Sequence, residues 1–258
     1  MGSALISGAI QSKFLQPKQI HVYDIDKKKS SALQKKYKIF AHHNISETIT
    51  NANFIFLCVK PQHIKNVLTE IAPQIKTHQC LISIAAGIKI ETIEKNFTTH
   101  IPLIRIMPNT PALIQKGMSA ITAGTYSNAK HIQFVKKFFT SVGHICVLSE
   151  KHFDTVTAVS GSGPAYVFYL AEGLEKAAIK MGLEPITAKQ LAVQTIAGAA
   201  QMLLQKESAE ELRKKVTSPG GTTEAAISEL EKQNWLNHFI QAVEIAAKKA
   251  KELSTLSI

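Results

Sequence analysis

Residues 54–59 form an uninterrupted apolar run, Phe-Ile-Phe-Leu-Cys-Val, which limits the folds that this chain can adopt. A strand with one face in water alternates apolar and polar residues, whereas a strand covered on both faces of a parallel sheet is apolar throughout. Alternation of such runs with helical patterns predicts a doubly wound α/β domain with a mostly parallel sheet. The predicted strands span residues 20–23, 54–59, 80–85, 101–107, 119–123 and 144–148, and the helices between them span 27–37, 63–71, 90–97 and 128–142.

After Glu150 the pattern becomes wholly helical. Pro164 and Pro185 stand at predicted helix starts, and Gly182 follows a predicted helix end. The long helices are apolar on more than one face, which favours burial against a second subunit. We therefore predict two domains, residues 1–149 and 150–258, the second of them all-α. Its predicted helices span 154–159, 165–181, 187–206, 209–216, 222–233 and 235–253.

Composition excludes several classes of protein. The chain has 258 residues, 45% of them hydrophobic and 19% charged, so it can bury a core and is neither disordered nor fibrous. No apolar run reaches the ~18 residues that cross a bilayer, so we expect no membrane partner. Cys58, Cys80 and Cys146 lie inside apolar runs without zinc-site spacing. This predicts reduced core cysteines, no metal site and a cytoplasmic protein.

The positive charge of the chain lies in its first half. Residues 1–149 carry 18 Lys or Arg against 6 Asp or Glu, a balance of +12, whereas residues 150–258 carry 12 against 13, a balance of −1. The basic residues are scattered and no nucleic-acid motif accompanies them, so we expect no nucleic-acid partner. Two interpretations stay open, a solvated basic surface and a site for a small phosphorylated ligand.

Unusual residues follow four of the predicted strands. Ligands of doubly wound sheets bind at the carboxyl ends of the strands, so these residues predict a dinucleotide crevice, although each alone could be an ordinary turn. They are Asp24 after the first predicted strand, Lys60 and Pro61 after the second, Ala86 and Gly87 after the third, and Pro108, Asn109, Thr110 and Pro111 after the fourth.

The amino end lacks the Gly-x-Gly-x-x-Gly turn that such a domain usually carries. Met1-Gly2-Ser3-Ala4-Leu5 resembles the helix that follows its third glycine, and Asp24 lies 22 residues after Gly2, near the ~20-residue offset of a ribose-binding acid. We therefore expect the sequence to begin inside this motif, with the first strand missing and the coding start upstream. An ordinary amino-terminal helix is the alternative.

The loop at residues 217–221, before a helix predicted to begin near Thr222, forms the strongest local motif. Free N–H groups at a helix amino end, two glycines and the hydroxyls of Thr222 and Thr223 predict a pocket for a carboxylate or phosphate. A glycine-rich cap between two helices is the structural alternative. The small-residue turn Ser160-Gly161-Ser162-Gly163-Pro164 predicts a helix start rather than a nucleotide loop.

Six segments of the chain, in order, resemble those of the pyrroline-5-carboxylate reductases. They are MGSALISGAI, FLCVKPQ, SIAAGI, RIMPNTPALIQKGMSAI, AVSGSGPAYVFYLAEGLEKAAIKMGL and VTSPGGTTEAAISELE, the last being the most specific. The resemblance implies a Rossmann-like domain at 1–149 without its first strand and a helical dimerisation and substrate-binding domain at 150–258. It also implies an enzyme that transfers hydride from NAD(P)H to the C=N bond of 1-pyrroline-5-carboxylate and forms L-proline.

The resemblance also implies roles for individual residues. The carboxylate of the substrate would lie on the loop, Thr223 would hydrogen-bond the ring nitrogen as the catalytic residue, and Glu207 aligns loosely with an acid near the ring. Together with the spacing of Gly2 and Asp24, it predicts one set of cofactor-binding residues and one set of substrate-binding residues. The cofactor set is Met1, Gly2, Asp24, Asn44, Val59, Lys60, Pro61, Ala85, Ala86, Gly87, Asn109 and Thr110, and the substrate set is Ser218, Gly220, Gly221, Thr222, Thr223 and Glu207.

Several alternatives stay open at this point. Asp24 favours NAD, whereas the family and the basic first half favour NADP. A β-hydroxyacid dehydrogenase would need a lysine soon after the glycine-rich turn, but none follows before Lys176. A catalytically impaired oligomeric homologue without cofactor binding is a further alternative. The family implies a homodimer and, in many members, a ring of dimers.

Overall fold

A computed structural model describes residues 1–255, so residues 256–258 of the predicted second domain lie outside the described part. The chain forms two compact units. The first contains Met1–Ser162 together with the described residues from Ala246 onward, and the second contains Gly163–Ile245.

The first unit alternates strands and helices. Its strands are β1 (His21–Val22), β2 (Phe40–Ala41), β3 (Phe54–Leu57), β4 (Cys80–Ser83), β5 (Leu103–Met107), β6 (Gly117–Ala123) and β7 (Gly143–Val147). Its helices are α1 (Gly2–Gln11), α2 (Lys27–Tyr37), α3 (Ile45–Ile49), α4 (Ile64–Ile71), α5 (Ile90–Glu94), α6 (Ala129–Thr140) and α7 (Phe153–Val156), followed by a π-helical turn at Thr157–Gly161.

Five of these strands form one sheet in the order β3-β4-β5-β6-β7. Neighbouring strands run parallel except for β5 and β6, which are antiparallel. The parallel pair β1 and β2 forms a separate two-stranded sheet in the described part of the chain. All six predicted strands are confirmed, and so is the mostly parallel sheet. Strand β2 was not predicted, because two residues are too few to produce a periodic pattern.

Side chains of the apolar run at 54–59 pack into two hydrophobic clusters, one on each face of the sheet. Ile55 and Leu57 belong to the cluster on one face of the sheet, with helices α4 and α5. Phe54 and Phe56 point to the other face, where the ring of Phe54 stacks on Phe134 of α6 at 3.7 Å between centroids. Because each face has its own cluster, the strand needs apolar residues at every position, which confirms the prediction.

The described secondary structure of the second unit consists of α-helices joined by loops. It contains α8 (Gly163–Lys180), α9 (Pro185–Met202), α10 (Ala209–Lys215), α11 (Thr222–Lys232) and the first part of α12 (Trp235–Thr255). Many of its large apolar side chains are exposed, for example Phe168 at 63% and Leu236 at 62%. No helix among residues 1–255 combines the length and the apolar character needed to span a bilayer.

The prediction that all three cysteines are core residues is wrong for two of them. Cys80 is fully buried in β4, whereas Cys146 is half-buried and Cys58 is exposed where the chain leaves β3. An apolar run predicts a strand, but the last residues of the run can lie beyond the end of that strand and outside the hydrophobic core. Burial raises the pKa of the Cys80 thiol to about 12, so this side chain is an unreactive core residue.

Candidate active site

Strands β3, β4 and β5 run parallel, so their carboxyl ends lie at one edge of the sheet. After β3 the chain passes through Val59 and the exposed Lys60 into a 3₁₀ turn that begins at Pro61. Lys60 is extended, with φ −66° and ψ 149°, as expected for the residue before a proline. The edge of the sheet therefore carries an exposed ammonium group.

The turn after β4 depends on a glycine. Gly87 has φ +75°, a conformation that residues with a side chain rarely adopt, whereas Ala85 is buried and Ala86 half-buried. A Cβ atom at Gly87 would lie 3.3 Å from Cβ of Leu253 in α12. The carboxyl edge of the sheet therefore carries, after β4, a tight turn made of small residues.

Helix α1 brings its amino end to the same edge. A Cβ atom at Gly2 would lie 3.3 Å from Cβ of Cys58, just beyond β3. No side chain caps this helix, and its first turn contains no acidic residue. The uncapped amino end next to β3 has the partial positive charge that favours a phosphate group.

The ends of β1 and β2 carry two of the predicted cofactor residues. Asp24 follows β1, and its Oδ1 accepts a hydrogen bond from the N–H of Asp26 at 2.9 Å. Asn44 follows β2 and caps α3, where its Oδ1 accepts from the N–H of Glu47 and its Nδ2 donates to Glu47 Oε1, both at 2.8 Å. The Asn44 side chain therefore has a structural role of its own.

Two histidines that the sequence analysis did not single out stack beside these strands. His21 Nδ1 and His42 Nε2 are 2.8 Å apart, and the two rings are nearly parallel. Burial, and then the neighbouring His42, lower the pKa of His21. The lowered pKa favours the neutral form of the His21 ring at neutral pH.

The turn after β5 is held by a long-range contact. Asn109 Nδ2 donates to the carbonyl oxygen of Ser160 at 3.2 Å and to its Oγ at 3.3 Å. Asn109 Oδ1 accepts from the N–H of Met118 at 2.8 Å. Thr110 begins the following 3₁₀ turn and is exposed. Asn109 therefore connects the end of β5 with β6 and with the π-helical turn.

Strand β5 contains a buried arginine that forms an ion pair. Arg105 of β5 is 3% exposed, and its Nη1 lies 2.8 Å from Glu150 Oε1, which also accepts from the N–H of Ile90 at 2.8 Å. The guanidinium also lies over the ring of Phe153 at 4.8 Å. One carboxylate thus fixes the positions of β5 and the start of α5.

In the second unit, the loop before α11 carries backbone N–H groups, and that of Gly221 already donates to the carbonyl oxygen of Ser218 at 3.0 Å. Gly221 is the N-cap residue, no side chain caps the helix, and Gly220 has φ +72°. The N–H of Gly220 donates to Glu224 Oε2 at 2.7 Å. A carboxylate oxygen of the protein itself therefore occupies one donor of the predicted loop. Ser218 and Thr222 are exposed beside it, and Thr223 is half-buried.

Glu207 precedes α10 and forms an ion pair with Lys215 at the other end of that helix. In all, the first unit places most predicted cofactor residues at or beside the carboxyl edge of β3, β4 and β5, with Asp24 and Asn44 after β1 and β2. The predicted substrate residues belong to the second unit. Among residues 1–255, no three His, Cys, Asp or Glu side chains are placed to hold a metal ion.

The contact between Asn109 and Ser160 and the pair of Arg105 with Glu150 were not predicted from the sequence. These partners lie 51 and 45 residues apart, so no local pattern could reveal them. A lone arginine inside a predicted buried strand was the available signal for the second, because a buried charge requires a partner.

Comparison with known proteins assigns both parts of the chain. Residues 150–253 match the family model "Pyrroline-5-carboxylate reductase dimerisation", and residues 1–87 match "NADP oxidoreductase coenzyme F420-dependent". The chain is 38% identical to pyrroline-5-carboxylate reductase of Corynebacterium melassecola over 98% of this chain and 95% of the relative. It is also 38% identical to pyrroline-5-carboxylate reductase 2 of Bacillus subtilis over 98% and 91% of the two chains.

Solved structures give the same result. The crystal structure of Plasmodium falciparum pyrroline carboxylate reductase with NADP bound matches with a TM-score of 0.89 at 30% identity, covering 99% of this chain and 95% of that one. The Coxiella burnetii pyrroline-5-carboxylate reductase matches with a TM-score of 0.90 at 34% identity over 98% and 95%. These matches confirm the Rossmann-like domain followed by a helical dimerisation domain, and the chain belongs to the pyrroline-5-carboxylate reductase family.

Proposed function

We propose that this protein reduces 1-pyrroline-5-carboxylate to L-proline, the last step of proline biosynthesis. In this reaction the C=N double bond becomes a single bond, the carbon gains a hydride and the nitrogen retains a proton. NADPH, when bound, supplies the hydride and leaves as NADP⁺. The observation that carries the proposal is the loop before α11, because its Gly220 N–H already binds a carboxylate oxygen in a family whose substrate is a small carboxylate.

The loop and the start of α11 are proposed to bind the substrate. Ser218, Gly220, Gly221 and Thr222 would hold its carboxylate against the positive end of the helix. The substrate carboxylate would take the place of Glu224 Oε2 at the Gly220 N–H. Thr223 would hydrogen-bond the ring nitrogen, and Glu207 would lie near the ring. Because an imine that is already protonated needs no strong acid, positioning and exclusion of water would provide most of the rate acceleration.

The residues at the sheet edge fit a dinucleotide. The uncapped start of α1 beside Cys58 suits the pyrophosphate, and the Gly87 turn permits a close approach of the backbone. We propose NADP as the cofactor, as in the Plasmodium falciparum relative, with NAD as the alternative that Asp24 favours. The proposed cofactor residues are Met1, Gly2, Asp24, Asn44, Val59, Lys60, Pro61, Ala85, Ala86, Gly87, Asn109 and Thr110.

We propose that residues 1–149 bind the dinucleotide and that residues 150–258 form a homodimer and bind the substrate. The matched dimerisation model and the exposed apolar side chains of the second unit support the dimer. A ring of dimers is the larger assembly that the family resemblance suggests. Three unpaired cysteines fit a reducing compartment, and we propose the cytoplasm.

Steady-state oxidation of NADPH with 1-pyrroline-5-carboxylate tests the proposal. We expect the wild-type protein to turn over and Thr223→Ala to lower kcat/KM by ~10-fold or more, equivalent to ~1.4 kcal/mol. Thr69→Ala removes an exposed helical threonine from the first unit and is the matched control, expected to retain wild-type kinetics. A wild-type protein without turnover would refute the activity, and unchanged kinetics of Thr223→Ala would remove Thr223 from the mechanism.

A further inference from the structure

The side chain of Asn109 does not perform the local function that its position favours. Asn109 stands at the N-cap of the 3₁₀ turn Thr110–Ile114, where an asparagine usually accepts a hydrogen bond from the turn that follows. No such bond forms here. Its amide instead reaches Ser160 and Met118, which lie 51 and 9 residues away. The side chain is therefore committed to a tertiary contact.

The partner segment is a π-helical turn, a rare structure that occurs frequently at functional sites. Its i→i+5 bond runs from the N–H of Ser162 to the carbonyl oxygen of Thr157 at 2.8 Å. Gly161 lies directly against the end of β5, since a Cβ atom there would come within 2.6 Å of Met107 Cε. The hydrogen bonds of Asn109 thus hold the turn against β5, and the absence of a side chain at Gly161 permits this close approach.

The direction of the hydrogen bond determines what Ser160 can do. The Nδ2 group of asparagine can only donate, so Ser160 Oγ is the acceptor in this contact. Within residues 1–255 the Ser160 hydroxyl accepts this bond and donates none, so its proton is available for another acceptor. Ser160 is half-buried, so a ligand can reach it.

The position of Ser160 indicates which ligand that is. The turn lies at the end of β5, and the carboxyl ends of β5 and β4 share the edge that carries the Gly87 turn. We propose that Ser160 donates a hydrogen bond to an oxygen of the nicotinamide ribose or carboxamide, and that Asn109 is the positioning residue that orients its hydroxyl. This inference rests on the proposed function, since it assumes that a nicotinamide dinucleotide binds at this edge.

A double-mutant cycle on the full-length protein tests the inference through NADPH binding alone. Ser160→Ala removes the hydroxyl but retains the backbone carbonyl that Asn109 also contacts. Asn109→Asp removes both Nδ2 donors and keeps Oδ1 for the N–H of Met118. Asn128→Asp is the matched control, because Asn128 caps α6 through its Oδ1 and needs no Nδ2 donor there.

We expect Ser160→Ala and Asn109→Asp each to raise the dissociation constant for NADPH by ~5- to 10-fold, the scale of one hydrogen bond. The double variant should bind within ~2-fold of the weaker single variant, because Asn109 acts through Ser160. Ser160→Thr retains a hydroxyl and should bind NADPH more tightly than Ser160→Ala does. In Ser160→Ala and Asn109→Asp, KM for the substrate should change less than the NADPH dissociation constant. Asn128→Asp should bind NADPH as the wild type does.

Three results would overturn the inference. Wild-type affinity of Ser160→Ala would show that the hydroxyl does not contact the cofactor, whether or not Asn109→Asp folds. If the double variant raises the NADPH dissociation constant by the product of the two single effects, Asn109 acts independently of Ser160. The negative charge that Asn109→Asp introduces could then account for its effect. Equal losses with Ser160→Thr and Ser160→Ala would indicate a packing role. Failure of the wild type to bind NADPH would instead refute the proposed function, so the two failures are distinguishable.

Discussion

At the scale of single residues, charges buried in the first unit determine where the fold is vulnerable. Arg105 is 3% exposed and depends on Glu150 for its counter-charge. Glu94 of α5 is in the opposite situation. Its Oε1 atom is buried without a hydrogen-bond partner among residues 1–255. Arg105 therefore has a partner for its charge, whereas one carboxyl oxygen of Glu94 has no hydrogen-bond partner.

Glu150→Ala should lower the free energy of unfolding by about 3 kcal/mol, because it leaves the Arg105 guanidinium buried and unpaired. Urea denaturation measures the change. Glu91→Gln, which removes an exposed pair with Lys95, is the control and should change it by less than ~0.5 kcal/mol. The double variant Arg105→Met/Glu150→Met should recover part of the loss. A Glu150→Ala protein as stable as the control would contradict the role of the pair.

Glu94 should make the protein less stable as the pH rises. Burial, and secondarily the charge of Glu150, raise the pKa of Glu94 in the folded state, although His100 opposes this shift. The stability that its neutral form provides is complete below the unfolded pKa and is lost as the pH rises through the folded pKa. Glu94→Gln should therefore unfold at a higher temperature than the wild type at pH 8 and at a similar temperature near pH 4. Equal melting temperatures at both pH values would refute the shift.

At the scale of elements, the pairing of β6 with β7 depends on glycine. Gly117 and Gly143 lie opposite each other, and Gly143 has φ +150°. A Cβ atom at Gly143 would overlap the backbone of Gly117. The parallel register of these two strands therefore requires a residue without a side chain at position 143.

Gly143→Ala should destabilise the protein by about 3 kcal/mol or more, because the added methyl group must push two paired strands apart. The free energy of unfolding in urea measures the loss. His144→Ala changes the next, exposed residue of the same strand and should alter stability by less than ~0.5 kcal/mol. A Gly143→Ala protein with wild-type stability would show that the strands can separate at little cost.

Elements with a repeated pattern could be predicted from the sequence, and contacts between distant residues could not. The apolar run at 54–59 predicted a strand buried on both faces, because a strand between two apolar clusters needs an apolar residue at each position. The loop before α11 could be predicted from its glycines and its helix start. The contact of Asn109 with Ser160 and the outward position of Cys58 depend on tertiary packing, which leaves no periodic signal.

At the scale of the whole molecule, the second unit exposes many large apolar side chains. Tyr169 is 76% exposed, Phe168 63% and Ile245 69%. Such surfaces mark association sites. The matched dimerisation model covers residues 150–253, which include all of these side chains.

Phe168→Glu should weaken the proposed homodimer at least ~10-fold, because a charge replaces an apolar side chain at the interface. Sedimentation equilibrium or light scattering at several concentrations measures the dissociation constant. Lys180→Glu, at the exposed end of the same helix, introduces the same residue and should leave the dimer intact. A Phe168→Glu protein with the wild-type dissociation constant would place the interface elsewhere on the unit.

In the proposed reaction a hydride passes from the reduced nicotinamide to the imine carbon of a small carboxylate without an intermediate carrier. Turnover with NADPH that carries deuterium at the transferred position, followed by mass spectrometry of the product, tests this transfer. We expect L-proline with one deuterium on the former imine carbon and one NADP⁺ formed per proline. Proline without deuterium from either face of the labelled nicotinamide, or oxidation of NADPH without proline, would contradict it.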